Sequence, residues 1–457
     1  MPNLKTASPR QKWFLVVEET QKLVHLAFPL ILAQLAHMSM GFVDTAMTGN
    51  YNALDLAAVA IGERSMVVVI LFGFGVITAV QILVSQLHGG REGPSQIGLC
   101  TVQGIWVGQI YGILGWIVVR NMLPLMTFLE MEPEVFNLAQ DYMEAFSWGL
   151  PATFLFTSFR VFYEGMAISS LTFYFTFLGL LVNIFGNYVL IFGHFGAPEM
   201  GAVGAGWTST LANWSMAVGI ILYTWIKKRY APYHIFSQLT HFSWQTIKSI
   251  LHIGIPIGLS FFIEVSMFTI FSLMMARFGV IVLAANQIAL NYAAFVFMIP
   301  LGVSMAATIR IGMVLGNKSV QQARLIGVLS ILLGGLLMLI SGIVIFLFPD
   351  QIARIYSNDA AVVEVTIEFL ILAAIFQFSD GIQVTAAGVL RGWKDTRFVM
   401  LMALTSFWGV GLSLGYIIGF KLGYGGHGLW YSMIVGLSVM AICLCTRFYF
   451  LARRGNG

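Results

Sequence analysis

Three acidic residues of this chain stand inside long apolar runs. A charge held in hydrocarbon costs roughly 3 kcal/mol or more, so such a group needs a partner or a task. Glu264 lies 16 residues after Lys248 and 13 before Arg277, which at about 1.5 Å per helical residue is mid-depth in a span. Asp380 sits likewise, 12 residues after Glu368 and 11 before Arg391. Two carboxylates at one depth can share a monovalent cation, Na+ being the metal ion possible at Glu264 and Asp380, or hold one proton between them. Either alone could instead be neutralised by hydrogen bonds to helix backbone. Asp44 is shallower, five residues before Gly49 and so roughly 7 Å from the outer end of its helix. Asn183 and Asn187, four apart, share one helix face, and Asn187 is six residues from Gly193, so Asp44 and both amides can meet at one level. His37 precedes Asp44 by seven residues, two turns, and a His–Asp pair can carry a proton. The alternatives are a core histidine, an aspartate in interfacial water, and asparagines that join helices. Glu63 and Arg64, at the outer start of the next span, read as a solvated pair.

The elements that carry these residues follow from composition. Of 457 residues 58% are hydrophobic and 10% charged, and the mean hydropathy is +0.85. That is too little charge to cover a water-soluble fold of this size, and it implies a membrane protein. Soluble enzymes and nucleic-acid readers are excluded: the net charge of +4 comes from basic residues scattered singly through connectors, with no stripe that would follow a phosphate backbone. Runs such as Val67–Gly75 and Leu325–Phe348 are apolar on every face, unlike the alternating strands of an outer-membrane barrel. At about 20 residues per span, helices are expected near 24–48, 57–88, 97–119, 135–158, 169–192, 203–226, 249–278, 284–315, 322–348, 362–389, 397–419 and 427–450. The first is read as a retained helix, since no small-residue cleavage site follows its apolar run. Lys and Arg divide 19 to 5 between alternate sides of these spans, which places both termini in the cytoplasm; the acidic loop Glu130, Glu132, Glu134 falls outside. Cys100, Cys443 and Cys445 lie in apolar segments and read as buried thiols.

The sequence repeats itself at an offset of 227 residues. Pro29 matches Pro256, Leu56-Ala57-Ala58 matches Leu283-Ala284-Ala285, Gly75-Val76 matches Gly302-Val303, Gly89 matches Gly316, and Gly165 matches Gly392. With an even number of spans per repeat the two halves run in the same sense. The expected organisation is a cytoplasmic segment (1–23), an N-lobe of six helices (24–226), a basic cytoplasmic linker (227–248), a C-lobe of six helices (249–450) and a cytoplasmic tail (451–457). Two similar bundles provide two packings of nearly equal energy, which alternating access requires. Pro29, Pro256, Pro300 and the Gly334-Gly335 pair are kink candidates, with close helix packing as the alternative. No phosphate-binding loop, aspartate-rich metal motif, HExxH or GxSxG is present, so catalysis is not expected and no cofactor is implied. The 37 Phe, 11 Trp, 15 Tyr and 23 Met supply the material for an adaptable apolar cavity, although most must face lipid or pack helices.

The segments Gly41-Phe42-Val43-Asp44-Thr45, Leu180-Leu181-Val182-Asn183-Ile184-Phe185-Gly186-Asn187-Tyr188, Phe261-Phe262-Ile263-Glu264-Val265, Asn291–Pro300, and Asp380 followed by Ala386-Ala387-Gly388-Val389-Leu390-Arg391-Gly392 together resemble the multidrug and toxic compound extrusion (MATE) transporters, in their bacterial NorM-like branch. The resemblance spans nearly the whole chain. It implies an all-α integral membrane fold of twelve transmembrane helices in two pseudo-symmetric six-helix bundles, in the bacterial inner membrane. It implies export of cationic amphipathic drugs and dyes in exchange for Na+ or H+, with Glu264 and Asp380 as the C-lobe cation site and Asp44, Asn183 and Asn187 as the N-lobe polar cluster. His37 stands where relatives often carry glutamine, and Phe376 where some carry tyrosine, so the coupling ion stays open. The lipid bilayer is the only other partner implied; no nucleic acid and no protein partner is evident. A flippase for lipid-linked precursors, from the same broad superfamily, is the alternative, but its cavity should be basic.

Overall fold

The computed structural model describes residues 8–122 and 132–454. Lys5, Glu130 and the last residues of the tail, 455–457, lie outside the described residues. Every regular element among the described residues is helical, as hydrocarbon demands of backbone groups that find no water to bond. The chain runs α1 (Pro9–Tyr51), α2 (Ala53–Gly89), α3 (Pro94–Asn121), α4 (Pro133–Ser147), α5 (Leu150–Gly165), α6 (Ser169–Leu190), α7 (Gly201–Ile226), α8 (Trp244–Met275), α9 (Val280–Gly316), α10 (Val320–Leu347), the short α11 (Pro349–Tyr356), α12 (Ala360–Gly392), α13 (Thr396–Lys421) and α14 (Gly425–Arg454). Ten of these are long and apolar enough to cross a bilayer. The fourth and sixth expected spans are the exceptions. The fourth is divided into α4 and α5 at Trp148–Gly149, ahead of Pro151, which lacks an N–H for the helix ladder. The sixth, α7, is a 26-residue helix rich in Gly, Ala, Ser and Thr, whose small and hydroxylated side chains lower its hydropathy.

Local chemistry sets several boundaries. Asn52 alone separates α1 from α2, and its side-chain oxygen accepts from the Leu54 N–H at 3.0 Å, capping α2. Asp359 caps α12 through the Ala361 N–H at 2.9 Å. Asp55 reaches from the first turn of α2 to accept the Ala202 N–H at 2.6 Å, at the start of α7. Gly201 is required there, because its φ is +52° and a Cβ would lie 2.3 Å from the Asp55 carboxylate. Pro29, Pro256 and Pro300 lie within helices that continue past them. Within α13, two π-helical stretches, Leu404–Leu412 and Ile417–Lys421, replace the regular ladder.

The chain forms two compact units: one takes the start of the chain to Ile31 together with Leu259 onward, the other Leu32–Gly258. In the second unit the buried aromatics Tyr142, Phe154, Phe162 and Tyr163 fill the centre. The basic linker belongs to this unit and is fastened to α3: Gln103 donates to the His241 carbonyl at 2.7 Å and accepts from the Ser243 N–H at 3.0 Å, while Trp106 donates to the Leu239 carbonyl at 3.0 Å. In the first unit Phe369, Phe407 and Trp430 occupy the core. Exposed Leu332, Leu336, Leu339, Ile340 and Ile343 line one face of α10 at helical spacing, a stripe suited to lipid.

The repeat reappears as a packing motif. A Cβ on Gly75 would lie 2.4 Å from the Gly258 Cα, and one on Gly302 would lie 2.4 Å from Ile31 Cγ1 and 2.9 Å from the Ile31 backbone nitrogen. The 227-residue offset carries Gly75 onto Gly302 and Ile31 onto Gly258, so each unit contains the same close crossing. In each, the second helix of one repeat meets the leading part of the first helix of the other. Gly334 serves packing as well, since a Cβ there would meet Thr385 Cγ2 at 2.3 Å. No disulfide joins the three cysteines; Cys100 is buried as expected, whereas Cys443 and Cys445 are half-buried.

Candidate functional site

In the Leu32–Gly258 unit, α1 presents Asp44 at 3% exposure. The Asn183 amide donates to Asp44 Oδ1 at 2.8 Å, the Asn187 amide donates to the same oxygen at 2.5 Å, and the Ser209 hydroxyl donates to Oδ2 at 2.8 Å. Thr48, one turn on, returns its hydroxyl to the Asp44 carbonyl at 2.6 Å. The spacing of four along α6 brings both asparagines onto one carboxylate oxygen. Ser209 was not visible as a site residue; its one signal is its place in Thr208-Ser209-Thr210, a hydroxyl run in a membrane helix. Asn187 Oδ1 has no hydrogen-bond partner among the described residues.

His37 shares α1 with Asp44, but no hydrogen bond joins the two residues. Its ring lies edge-on to Phe74, centroids 6.2 Å apart, within electrostatic range of Arg160. Arg160 belongs to a second buried network. Its Nε donates to Glu164 Oε1 at 2.7 Å and its Nη2 to Gln34 at 3.1 Å, while Gln81 donates to Glu164 Oε2 at 2.8 Å and Thr172 to Oε1 at 3.1 Å. Glu164 is wholly buried yet satisfied on both oxygens, as a buried ion pair must be. Glu63 differs from its sequence reading as a solvated partner of Arg64. It is half-buried, ten residues into α2, and makes no ion pair with the exposed Arg64. Hydropathy starts the span near 57, but the helix begins at Ala53, which draws Glu63 inward.

In the other unit, Asp380 on α12 is 4% exposed and Glu264 on α8 is half-buried. One amide serves both: Gln383 Nε2 donates to Asp380 Oδ1 at 3.0 Å and reaches Glu264 Oε1 at 3.5 Å. The structure thus brings together the two acids that the sequence placed at equal depth and adds Gln383 between them, one turn past Asp380. Arg391 stands over the Phe261 ring at 4.8 Å and within electrostatic range of Glu264. Phe376 packs edge-on against Phe268 and Trp430, centroids 6.2 and 5.8 Å apart; it contributes no oxygen to the acids. No group of three or more His, Cys, Asp or Glu suited to a metal ion occurs among the described residues. The two carboxylates share a single neutral donor, and with Arg391 as the cation in electrostatic range of Glu264 one negative charge stays uncompensated, which a proton, a monovalent ion or an organic cation can offset.

A family model described as MatE matches residues 29–189 and again 256–417. The two starts are separated by the offset of the internal repeat. The chain is 37% identical over 440 residues to a probable multidrug resistance protein NorM of Shewanella oneidensis, covering 95% of each. It is 36% identical over 455 residues to the multidrug resistance protein PmpM of Pseudomonas aeruginosa, covering 98% of this chain and 95% of that one. Among solved structures, the Vibrio cholerae MATE transporter VcmN in its bent form superposes with a TM-score of 0.86 at 17% identity, covering 97% of this chain and 99% of that one. The eukaryotic MATE transporter AtDTX14 gives a TM-score of 0.86 at 18% identity, covering 96% and 99%; at such identities the likeness is one of fold. With both repeats matched and NorM-type relatives along nearly its whole length, the chain belongs to the MatE family, in its NorM-like branch, and is a multi-span membrane transporter rather than an enzyme.

Proposed function

We propose that this chain is a multidrug efflux antiporter of the bacterial inner membrane, with both termini cytoplasmic, which exports cationic amphipathic compounds against an inward flow of Na+ or H+. The observation that carries the reading is the pair of acidic sites inside the helical body: Asp44 under three neutral donors, and Asp380 with Glu264 sharing Gln383. The names of the NorM and PmpM relatives point the same way. Exchange follows from competition. A coupling ion that neutralises a carboxylate removes the differential affinity that held a cationic substrate, so the substrate leaves on the side where the ion is abundant. Return of the ion to the cytoplasm restores the anionic site. Alternating access of the two six-helix repeats, residues 24–226 and 249–450, separates the two events. The test is ethidium efflux from cells lacking other pumps, comparing the parent chain with Asp44→Asn, Glu264→Gln and Asp380→Asn under imposed Na+ or pH gradients. Loss of gradient-driven efflux in these variants is expected. Full efflux by all three at parental abundance defeats the proposal.

A further inference from the structure

The neighbourhood of Asp44 contains a carboxylate that the exchange scheme above does not use. α1 ends at Tyr51 and α2 begins at Ala53, so Gly41 and Glu63 each lie ten residues from the turn, at one level of the helical hairpin. The structure agrees: a Cβ on Gly41 would lie 3.9 Å from Glu63 Oε1. Asp44 is three residues nearer the turn, about one helical turn away along α1, and the two carboxylates are within electrostatic range of one another.

Their surroundings differ. Asp44 accepts hydrogen bonds on both oxygens. Glu63 makes no hydrogen bond or ion pair among the described residues. Beside it, the Tyr142 ring covers Gly62, where a Cβ would be 2.5 Å from Tyr142 Cδ1. Tyr142 is wholly buried, and its hydroxyl has no hydrogen-bond partner among the described residues although it lies within electrostatic range of both Glu63 and Asp44. Asn187, whose amide donates to Asp44, has its Oδ1 buried and unpartnered among the described residues. A half-buried acid that accepts no hydrogen bond among the described residues, with the exposed Arg64 as the cation in electrostatic range and a buried phenol oxygen without a partner nearby, keeps acceptor capacity that a further positive group can fill.

We propose that Glu63 is the residue of this unit that meets the positive charge of the transported organic cation, with the Tyr142 hydroxyl as a second contact, leaving the saturated Asp44 to the coupling ion. The assignment rests on the efflux reading above and divides its two roles between two acids of one site. Glu63 then sets apparent affinity for cationic substrates, and Asp44 sets the dependence on the driving ion.

The experiment measures initial ethidium efflux against dye concentration in cells carrying the parent chain, Glu63→Gln or Tyr142→Phe, with abundance checked in the membrane fraction. Tetraphenylphosphonium binding to the purified full chain is measured alongside. Glu63→Gln should raise half-saturating ethidium and the tetraphenylphosphonium Kd about 10-fold, which corresponds to about 1.4 kcal/mol, while efflux at saturating dye keeps the parental response to imposed Na+ and pH gradients. Tyr142→Phe keeps the ring over Gly62 and should raise both constants by a smaller factor. Half-saturation and Kd at parental values in both variants overturn the proposal. Loss of the gradient response in Glu63→Gln with unchanged half-saturation also overturns it, by making Glu63 a coupling residue. A parent chain that extrudes no cation refutes the efflux reading, and this assignment falls with it; an active parent with indifferent variants refutes the assignment alone.

Discussion

Glu19 is the place to break the unit that holds Asp380. It lies on α1 with 1% of its side chain exposed, and accepts from Arg310 Nη2 of α9 at 2.6 Å and Gln322 Nε2 of α10 at 2.8 Å, with Lys22 Nζ at 3.4 Å. Three helices are therefore tied to one carboxylate. Glu19→Gln keeps the shape but leaves Arg310, only 15% exposed, without a counter-charge. Removing one partner of a buried pair costs about 3–5 kcal/mol, and the residual exposure of Arg310 places this case at the lower end, about 3 kcal/mol. At about 2–4 °C per kcal/mol for a unit of this size, the melting temperature in detergent should fall by roughly 6–12 °C. Adding Arg310→Met removes the stranded charge and should restore part of the loss, because the uncompensated buried charge is what makes breaking one partner of the pair so costly. Thermal denaturation followed by intrinsic tryptophan fluorescence reads all three proteins. A single variant as stable as the parent, or a double variant no better than the single one, would refute the electrostatic account and leave α1 held here by apolar contacts alone.

Three further outcomes are expected. Gly75→Ala and Gly302→Ala each place a methyl against a facing backbone and should each destabilise by about 1–3 kcal/mol, whereas Gly93→Ala, with nothing within 4 Å of its Cβ position, should leave the melting temperature unchanged. Ser209→Ala removes one of three donors to Asp44, worth about 1.5–3 kcal/mol for a charged acceptor, and should lower efflux while preserving abundance; unchanged efflux would show that the two asparagines suffice. For topology, single cysteines at Ser237 and Glu199 in a cysteine-free background should react with an impermeant maleimide from opposite sides, Ser237 only in inside-out vesicles. Reaction of both from one side would overturn the charge-based orientation.

Hydropathy revealed most spans because a bilayer imposes length and composition together, and it weakened where those separate. α7 forms the expected sixth helix with Gly, Ser and Thr in place of Leu and so falls short of an apolar span, and the α4–α5 break follows from a proline that an apolar window averages away. Asp44, Asn183, Asn187, Glu264 and Asp380 were legible as polar exceptions on predictable helix faces. Gln383 and Ser209 were not, because an amide or hydroxyl in a membrane helix is cheap enough to need no function, and only its partner's position gives it one. Glu19, Arg310 and Gln322 are far apart in sequence, and a charge near the end of a span reads as an interfacial anchor until the fold shows what it touches. His37 illustrates the opposite limit: equal helical phase with Asp44 set its direction, but two turns of rise keep the groups from bonding.

The reciprocal glycine crossings bear on ancestry. Because the leading stretch of each repeat completes the other repeat's unit, a single repeat expressed alone would display an unfilled glycine groove and a dangling arm. Two copies of such a half-length chain could satisfy each other by trading their leading stretches, an arrangement that joining the repeats in one chain makes permanent.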